Sequence, residues 1–427
     1  MADGGGSVEL ACGPRQFSVA LPVGLVWERL EAARAVAGPR PDGGPGALAE
    51  ALDRVGGERL ARARSVVVLV PDETRPGPIA EWIDLVVGAL AERRVAAERV
   101  TLLVAAGVHR GETPHEWVRR AQAAGARLER HDADAPLQPV GRCRGGLEIE
   151  LNARYAEADL RLSLGGVSFH YFAGFGGGPK MVFPGVAARH AVVANHRRTL
   201  GPLPPGGLHP GCAPGRIEGN PVASEIAEAA ALLPPDVALH FVASGGEWMA
   251  FEGKTGLAAA RDAVLGAGAR GSAGGADCVV ASAGGTPHDV DLVQTHKALF
   301  HAAAYCRPGG AVVLWAEAAG GPGSDAMRRW LAVESLDELE GSARAAYDLN
   351  AQTAISLRRL TARHRVVWRG GGCPEWIARA GAVVAESDEA AWRLAQEARA
   401  TGPWERGVVL PHAASVVPAS NGRAAEA

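Results

Sequence analysis

The run Ser65-Val-Val-Val-Leu-Val70 carries no charge, ends on Pro71-Asp-Glu-Thr-Arg-Pro-Gly-Pro78, and is followed from Ile79 to about Glu92 by apolar residues at helical spacing. Strands buried on both faces read as continuous apolar runs, so strand, loop and helix in this order form one unit of a parallel sheet. The unit recurs. Val100 to Ala105 runs into Gly107-Val-His-Arg-Gly111, where Thr113-Pro-His-Glu116 has the spacing of a capping box for the next helix. A third strand is expected near Ala158 to Leu164 and a further one over Val237 to Ser244. Ligands of such sheets gather beyond the carboxyl ends of the strands. Arg75, His109 and His170 are therefore expected at one edge, with Asp72 beside them.

The third strand leads into Ser168-Phe-His-Tyr-Phe-Ala-Gly-Phe-Gly-Gly-Gly-Pro-Lys-Met, and the stretch continues to Asn195-His196. Adjacent glycines lose much entropy on ordering, and a folded chain keeps them where backbone approaches a ligand or takes positive φ. This reads as a ligand-approach loop. It is not a nucleotide P-loop: that motif needs Gly-Lys-Ser/Thr, whereas here Pro179 precedes Lys180 and Met181 follows it. Gly253-Lys254-Thr255 fails as well, because Trp248 stands where the upstream glycine belongs.

Near residue 270 the pattern restarts after the Gly- and Ala-rich Gly266 to Gly275. A strand from Asp277 to Ser282 precedes Ala283-Gly-Gly-Thr-Pro-His-Asp289, then a helix carries Gln294 and Lys297, and Ala311 to Trp315 adds another strand. At 427 residues the chain exceeds a single ordinary core. The expectation is an α/β fold of two α/β domains with mostly parallel sheets and an active-site cleft between them, residues 1–268 and a smaller 269–427. Residues 7–22 alternate around Gly13-Pro14 as a hairpin laid against the first domain, and residues 36–47 read as a loop.

Composition narrows the function. Charged residues make up 21% and the formal charge is −3, which leaves no electrostatic footprint for nucleic acid. No apolar run approaches a membrane span, and Met-Ala-Asp-Gly-Gly-Gly is not a secretory signal, so a cytoplasmic location is expected. The six cysteines lie far apart without a C-x-x-C pair, against a thiolate zinc site or a disulfide framework, and read as buried thiols.

Each candidate also has an ordinary reading. Most arginines are exposed, a lysine on a helix is usually solvated, and a lone histidine is more often structural than catalytic. What sets Arg75, His109 and His170 apart is that three strand ends converge on them.

Asp72/Arg75, Gly107-Val-His109-Arg110, His170, Gly177-Gly-Pro-Lys180, Pro184-Gly-Val186, Asn195-His196, and Gly284-Gly285 with Asp289, Gln294 and Lys297 together resemble the nickel-pincer-nucleotide lactate racemase family. Lys180 follows His170 by ten residues and precedes His196 by sixteen, the spacing of that family's histidine-lysine-histidine pattern. The resemblance implies a racemase or epimerase of a 2-hydroxy acid. It implies a nickel-pincer nucleotide (pyridinium-3,5-bisthiocarboxylic acid mononucleotide nickel) covalent on Lys180, with Gly177, Gly178 and Asp72 near it and His196 as the protein's nickel ligand. His109 and His170 become the acid/base pair, and Arg75, Gln294 and Lys297 the substrate contacts. The implied partners are the small-molecule acid and the cofactor-biosynthesis proteins that mature the enzyme, with neither nucleic acid nor membrane.

Family members often carry an aromatic residue just before the glutamine, where this chain has Val293. The smaller side chain leads us to expect a pocket for an acid bulkier than lactate. Two other readings of the same residues are a metal-dependent hydrolase with His109, His170 and His196 as ligands, and a non-catalytic sugar-acid or nucleotide binding protein. Intact mass and metal content separate all three.

Overall fold

The computed structural model describes residues 6–33, 44–75, 77–244 and 247–419. Most of the loop expected over 36–47 and nearly all of the tail after Pro418 lie outside them. At Pro45 that loop expectation gives way to a helix, Pro45–Val55, since proline with its fixed φ and missing N–H suits a first helical turn. The chain divides into two compact units. A central unit comprises Ala33–Arg198 and Gly215–Ala267, and a terminal unit comprises Met1–Ala32, Thr199–Pro214 and Gly268–Ala427.

The central unit is built on six strands in the order Glu247–Glu252, Val237–Ser244, Leu160–Gly166, Val66–Pro71, Val100–Ala105 and Arg127–Arg130. Only Glu247–Glu252 runs antiparallel to its neighbour. Every residue of Val66–Pro71 is buried, as its uninterrupted apolar sequence requires. The helix Ile79–Glu92 turns Ile79, Trp82, Ile83, Val86, Val87 and Leu90 into the core, one stripe at helical spacing. Trp82 stacks on Phe241 of the sheet at 4.1 Å between ring centroids. Chain order reverses between Val66–Pro71 and Leu160–Gly166: the connection from the first goes to Val100–Ala105 on one side, and the later strand returns on the other. This is a topological switch point, where the loops beyond two adjacent strands diverge and open a crevice.

The helix expected at Thr113 begins instead at His115, with Pro114 as its N-cap and no side-chain cap bond. The capping-box spacing is present but unused, because the residue before the first turn is a proline with no side-chain acceptor.

In the terminal unit six parallel strands run in the order Val383–Ala385, Arg365–Gly370, Cys306–Ala316, Ala276–Ser282, Arg406–Leu410 and Val26–Arg29. The expected hairpin forms as Ser7–Cys12 paired with Arg15–Ala20, turning at Gly13 with φ of 58°. It does not lie on the first domain as expected. Val8, Leu10, Cys12 and Val19 pack with Cys278, Val280 and Trp315 of the terminal sheet. Alternation marks the apolar face of a hairpin but carries no information about which sheet it will cover. All six cysteines are free and buried. Among the described residues no helix is long and apolar enough to cross a membrane.

Candidate active site

The strands Val66–Pro71, Val100–Ala105 and Leu160–Gly166 are adjacent and parallel, so the segments leaving their carboxyl ends carry Asp72 and Arg75, His109, and His170 to one edge. Asp72 is 2% exposed and lies at the switch point. One carboxylate oxygen accepts from the Thr74 backbone N–H at 2.9 Å and from the Thr74 hydroxyl. The other lies 3.1 Å from His109 Nδ1 and 3.7 Å from Arg75 Nε. Burial pushes the Asp72 carboxyl upward, but the charges of Arg75 and His109 and the bonds from His109 and Thr74 outweigh it and hold the group well below the usual carboxylate range. Because an ionised Asp72 only accepts, His109 carries its proton on Nδ1, and in the neutral ring the lone pair sits on Nε2.

His170 ends the short strand Phe169–His170, which pairs with Gly174–Phe175 across a tight turn. Inside that turn the Ala173 backbone N–H donates to His170 Nδ1 at 3.2 Å, so the neutral ring keeps its proton on Nε2. Phe172, the turn's middle residue, gathers the site. Its ring meets His170 edge-on at 4.5 Å and His196 at 5.1 Å between centroids, and Lys180 Nζ lies 5.5 Å from its centre. Nothing in the sequence pattern set Phe172 apart from its aromatic neighbours Tyr171 and Phe175.

Lys180 sits in a single 3₁₀ turn, Gly178–Met181, whose backbone is tied by Lys180 N–H to the Gly177 carbonyl. Gly177 and Gly178 both take positive φ, 68° and 55°. A Cβ on Gly177 would stand 2.4 Å from the Gly166 carbonyl oxygen, and one on Gly178 would stand 2.8 Å from Leu257. The glycines are thus required first by the chain's own close packing, which seats the lysine turn against the end of a central strand.

His196 lies in the helix Arg189–Arg197. Its Nδ1–H donates to the Val192 carbonyl at 2.7 Å, which leaves Nε2 as the unprotonated nitrogen. Burial, then the charges of Lys180 and His109, push its pKa down to about 3, so the ring is neutral at physiological pH. The flanking residues are pinned too: buried Glu225 accepts from Asn195 at 3.0 Å and from Arg198 at 2.6 Å.

Two family models match the chain: the lactate racemase N-terminal domain over residues 46–203 and the lactate racemase C-terminal domain over 272–417. This chain belongs to the lactate racemase family. The lactate racemase of Thermoanaerobacterium thermosaccharolyticum is 29% identical over 275 residues, covering 62% of this chain and 63% of the relative. That of Lactiplantibacillus plantarum is 35% identical over 146 residues, covering 33% of this chain and 34% of the relative. Each match therefore spans less than two thirds of the relative. The structure of the Thermoanaerobacterium lactate racemase apoprotein shares the fold, with a TM-score of 0.79 at 22% identity over 96% of this chain and 99% of that one. A Thermotoga maritima crystal structure aligns with a TM-score of 0.57 at 17% identity over 84% of this chain and 93% of its own.

For the cofactor implied by the lactate racemase family, the donor chemistry fits. A neutral imidazole with Nδ1–H fixed by a carbonyl and Nε2 unprotonated is the form in which histidine binds nickel. Lys180, in the same cluster, supplies an amine. By contrast, no group of three His, Cys, Asp or Glu side chains gathers as a metal site among the described residues. His109, His170 and His196 do not form the three-ligand set that the hydrolase reading needs.

Gln294 and Lys297 belong to the terminal unit, on the helix Leu292–Ala303, which is capped by Asp291 accepting from Gln294 N–H at 2.8 Å. Lys297 Nζ donates to Gln294 Oε1 at 2.5 Å, so the two expected substrate contacts are already coupled. Val293 is half-buried and packs against the hydrophobic core of that unit. Buried Asp289, in the preceding loop, accepts from Gly13 N–H at 2.6 Å and Glu317 N–H at 3.1 Å, fixing the loop to the hairpin turn. A surface depression lined by Asp134, Glu150, Arg189 and His190 contains none of the candidate residues.

Proposed function

We propose that this chain is an isomerase that inverts the α-carbon of a 2-hydroxy acid, with a nickel-pincer nucleotide covalent on Lys180 and His196 as the protein's nickel ligand. The observation that carries the reading is the cluster at the central switch point: His109 with Nδ1 on a carboxylate, His170 with Nδ1 on a backbone N–H, a lysine, and a third histidine whose Nδ1–H is held by a carbonyl.

The α-hydrogen of a 2-hydroxy acid is hardly acidic, so a histidine cannot remove it as a proton at a useful rate. When bound on Lys180 and His196, the cofactor would supply the missing chemistry, reversible acceptance of hydride from the α-carbon. The protein's residues handle the rest. Arg75 holds the substrate carboxylate with its planar fork. His109, oriented through Nδ1 by Asp72, takes the hydroxyl proton at Nε2 as the alcohol becomes a planar keto acid. After the carbonyl presents its other face, His170 as the imidazolium returns a proton to the oxygen, a form in which Nδ1 is protonated and the bond from the Ala173 N–H is released. Running the reaction backward exchanges the two roles, and solvent re-equilibrates both rings between turnovers. Gln294 and Lys297 keep the substrate-oxygen contacts that the family resemblance implies, and maturation proteins deliver the cofactor.

The decisive test is intact mass and nickel content of protein matured in a host that makes the pincer cofactor. Wild type should carry an adduct that Lys180→Ala lacks, together with racemase activity that the variant has lost. Full activity in a nickel-containing protein with an unmodified Lys180 would refute the assignment.

A further inference from the structure

Asn220 is fully buried between the turn that carries His170 and the helix Pro221–Leu232. Its side-chain oxygen accepts from the backbone N–H groups of Val222 at 3.1 Å and Ala223 at 3.0 Å, capping the helix. Its side-chain nitrogen donates to the carbonyls of Phe172 at 2.8 Å and Arg216 at 3.0 Å. Two donors on one side and two acceptors on the other fix which end of the amide is which, since a flipped amide would face N–H to N–H and carbonyl to carbonyl. The bond to Phe172 spans 48 residues and reaches the middle of the acid/base turn.

The same loop grips the turn a second time, through Gly215 N–H donating to the Gly174 carbonyl at 2.8 Å. There the fit is close: a Cβ on Gly174, whose φ is 77°, would stand 2.3 Å from the Arg216 carbonyl oxygen. Between these two grips lie Phe172, with its ring on His170, His196 and Lys180, and Ala173, whose N–H sets the His170 tautomer.

We propose that Asn220 is a positioning residue for the reaction: its amide fixes the Phe172 carbonyl, and through that turn sets the ring orientation of His170 and the aromatic contact shared by His196 and Lys180. This rests on the acid/base role proposed for His170. The helix cap alone could be made by serine, aspartate or threonine. Only an amide side chain caps the helix and donates to two carbonyls at once, which is why asparagine serves here.

The test compares Asn220→Ser with Asn220→Asp. Both retain a cap acceptor for the helix, and neither supplies the two amide N–H groups. In the cofactor-free protein, ¹⁵N-histidine NMR reads the His170 ring, assigned with His170→Ala. In matured protein, kcat and KM are measured in both directions. The expected result is a moved His170 ring signal in a folded variant, an unchanged Lys180 adduct mass, and kcat reduced about 10²-fold with little change in KM, the size of loss that follows a small misplacement of a reacting group. A folded Asn220→Ser with an unmoved His170 signal and wild-type kcat overturns the proposal. Failure of both variants to fold overturns it too, by making Asn220 a residue of folding. If wild type itself shows no racemisation the acid/base assignment falls, while the NMR comparison still reports whether Asn220 orders the His170 ring.

Discussion

His109 Nδ1 lies 3.1 Å from the carboxylate of Asp72, a residue that is 2% exposed and is held ionised by that contact, by Thr74 and by Arg75. An anion fixed by three neighbours is a rigid reference point, so the imidazole is oriented as well as protonated on the side away from its reactive nitrogen. Asp72→Asn keeps the shape but offers His109 an uncharged amide, which can meet Nδ1 with either end. We expect kcat to fall by about 10²-fold or more, approaching the loss for removing the base itself. Chiral chromatography of both enantiomers checks this, and an Asn variant at the wild-type rate would show that Asp72 does not orient His109.

His109→Ala and His170→Ala should each block interconversion in both directions, because in the proposed mechanism every turnover uses one ring to remove a proton and the other to return it. Losses of order 10²–10⁴-fold are expected for a positioned acid or base. The structure sharpens the comparison, since Nδ1 of His109 faces a carboxylate whereas Nδ1 of His170 faces a backbone N–H. If either variant kept a near-wild-type rate with a good substrate, that histidine would be structural.

Stability should fall as pH drops from about 6.5 toward 4, and buried histidines are the reason. Burial pushes His240, His301 and His364 each down to about 4. The unfolded chain binds these protons below about 6.5 while the folded chain refuses them, so their contribution is complete above the unfolded pKa and lost as pH falls to the folded one. Each such group adds a slope of up to about 1.4 kcal/mol per pH unit. Asp72 adds a loss in the same direction at lower pH, below the ordinary carboxylate value. Denaturant midpoints measured from pH 7.5 to 4 test the slope. His364→Gln, whose amide can replace the bond from Nδ1 to the Arg307 carbonyl, should flatten it, and a profile level across that window would contradict the assignment.

The parts of this molecule that sequence made legible are those set by local pattern. Val66 to Val70, apolar throughout, and Val100 to Ala105, apolar but for Thr101, announce buried parallel strands, and the helix Ile79–Glu92 announces its face by spacing. Convergence of Asp72, His109 and His170 follows once those strands are neighbours. The hidden relationships are long-range. Val26–Arg29 pairs with Arg406–Leu410 across most of the chain, and Asn220 reaches Phe172 through a loop with no distinctive composition. Tertiary fit also explains the glycines. Their number suggested an approach to a ligand, whereas Gly177 and Gly178 first of all make room for Gly166 and Leu257.

Substrate choice is the last point at which a single residue can be tested. Val293 stands beside Gln294, half-buried against the core of the terminal unit, in place of the aromatic residue that the family resemblance leads us to expect. Relative to tyrosine, valine lacks a ring and a hydroxyl, so under the proposed function it would leave a wider and less polar space for the substrate's tail. One methylene in a pocket discriminates by about 1–3 kcal/mol, so a ring-sized difference is enough to set the preference. We expect an acid bulkier than lactate to be the better substrate, and Val293→Tyr to shift the kcat/KM ratio toward lactate. A panel of single-enantiomer 2-hydroxy acids, assayed with both proteins side by side, measures the shift, and a melting curve shows whether the ring is accommodated. Lactate as the best wild-type substrate would refute the preference, and an unchanged ratio in a well-folded variant would show that Val293 serves the core of its unit alone.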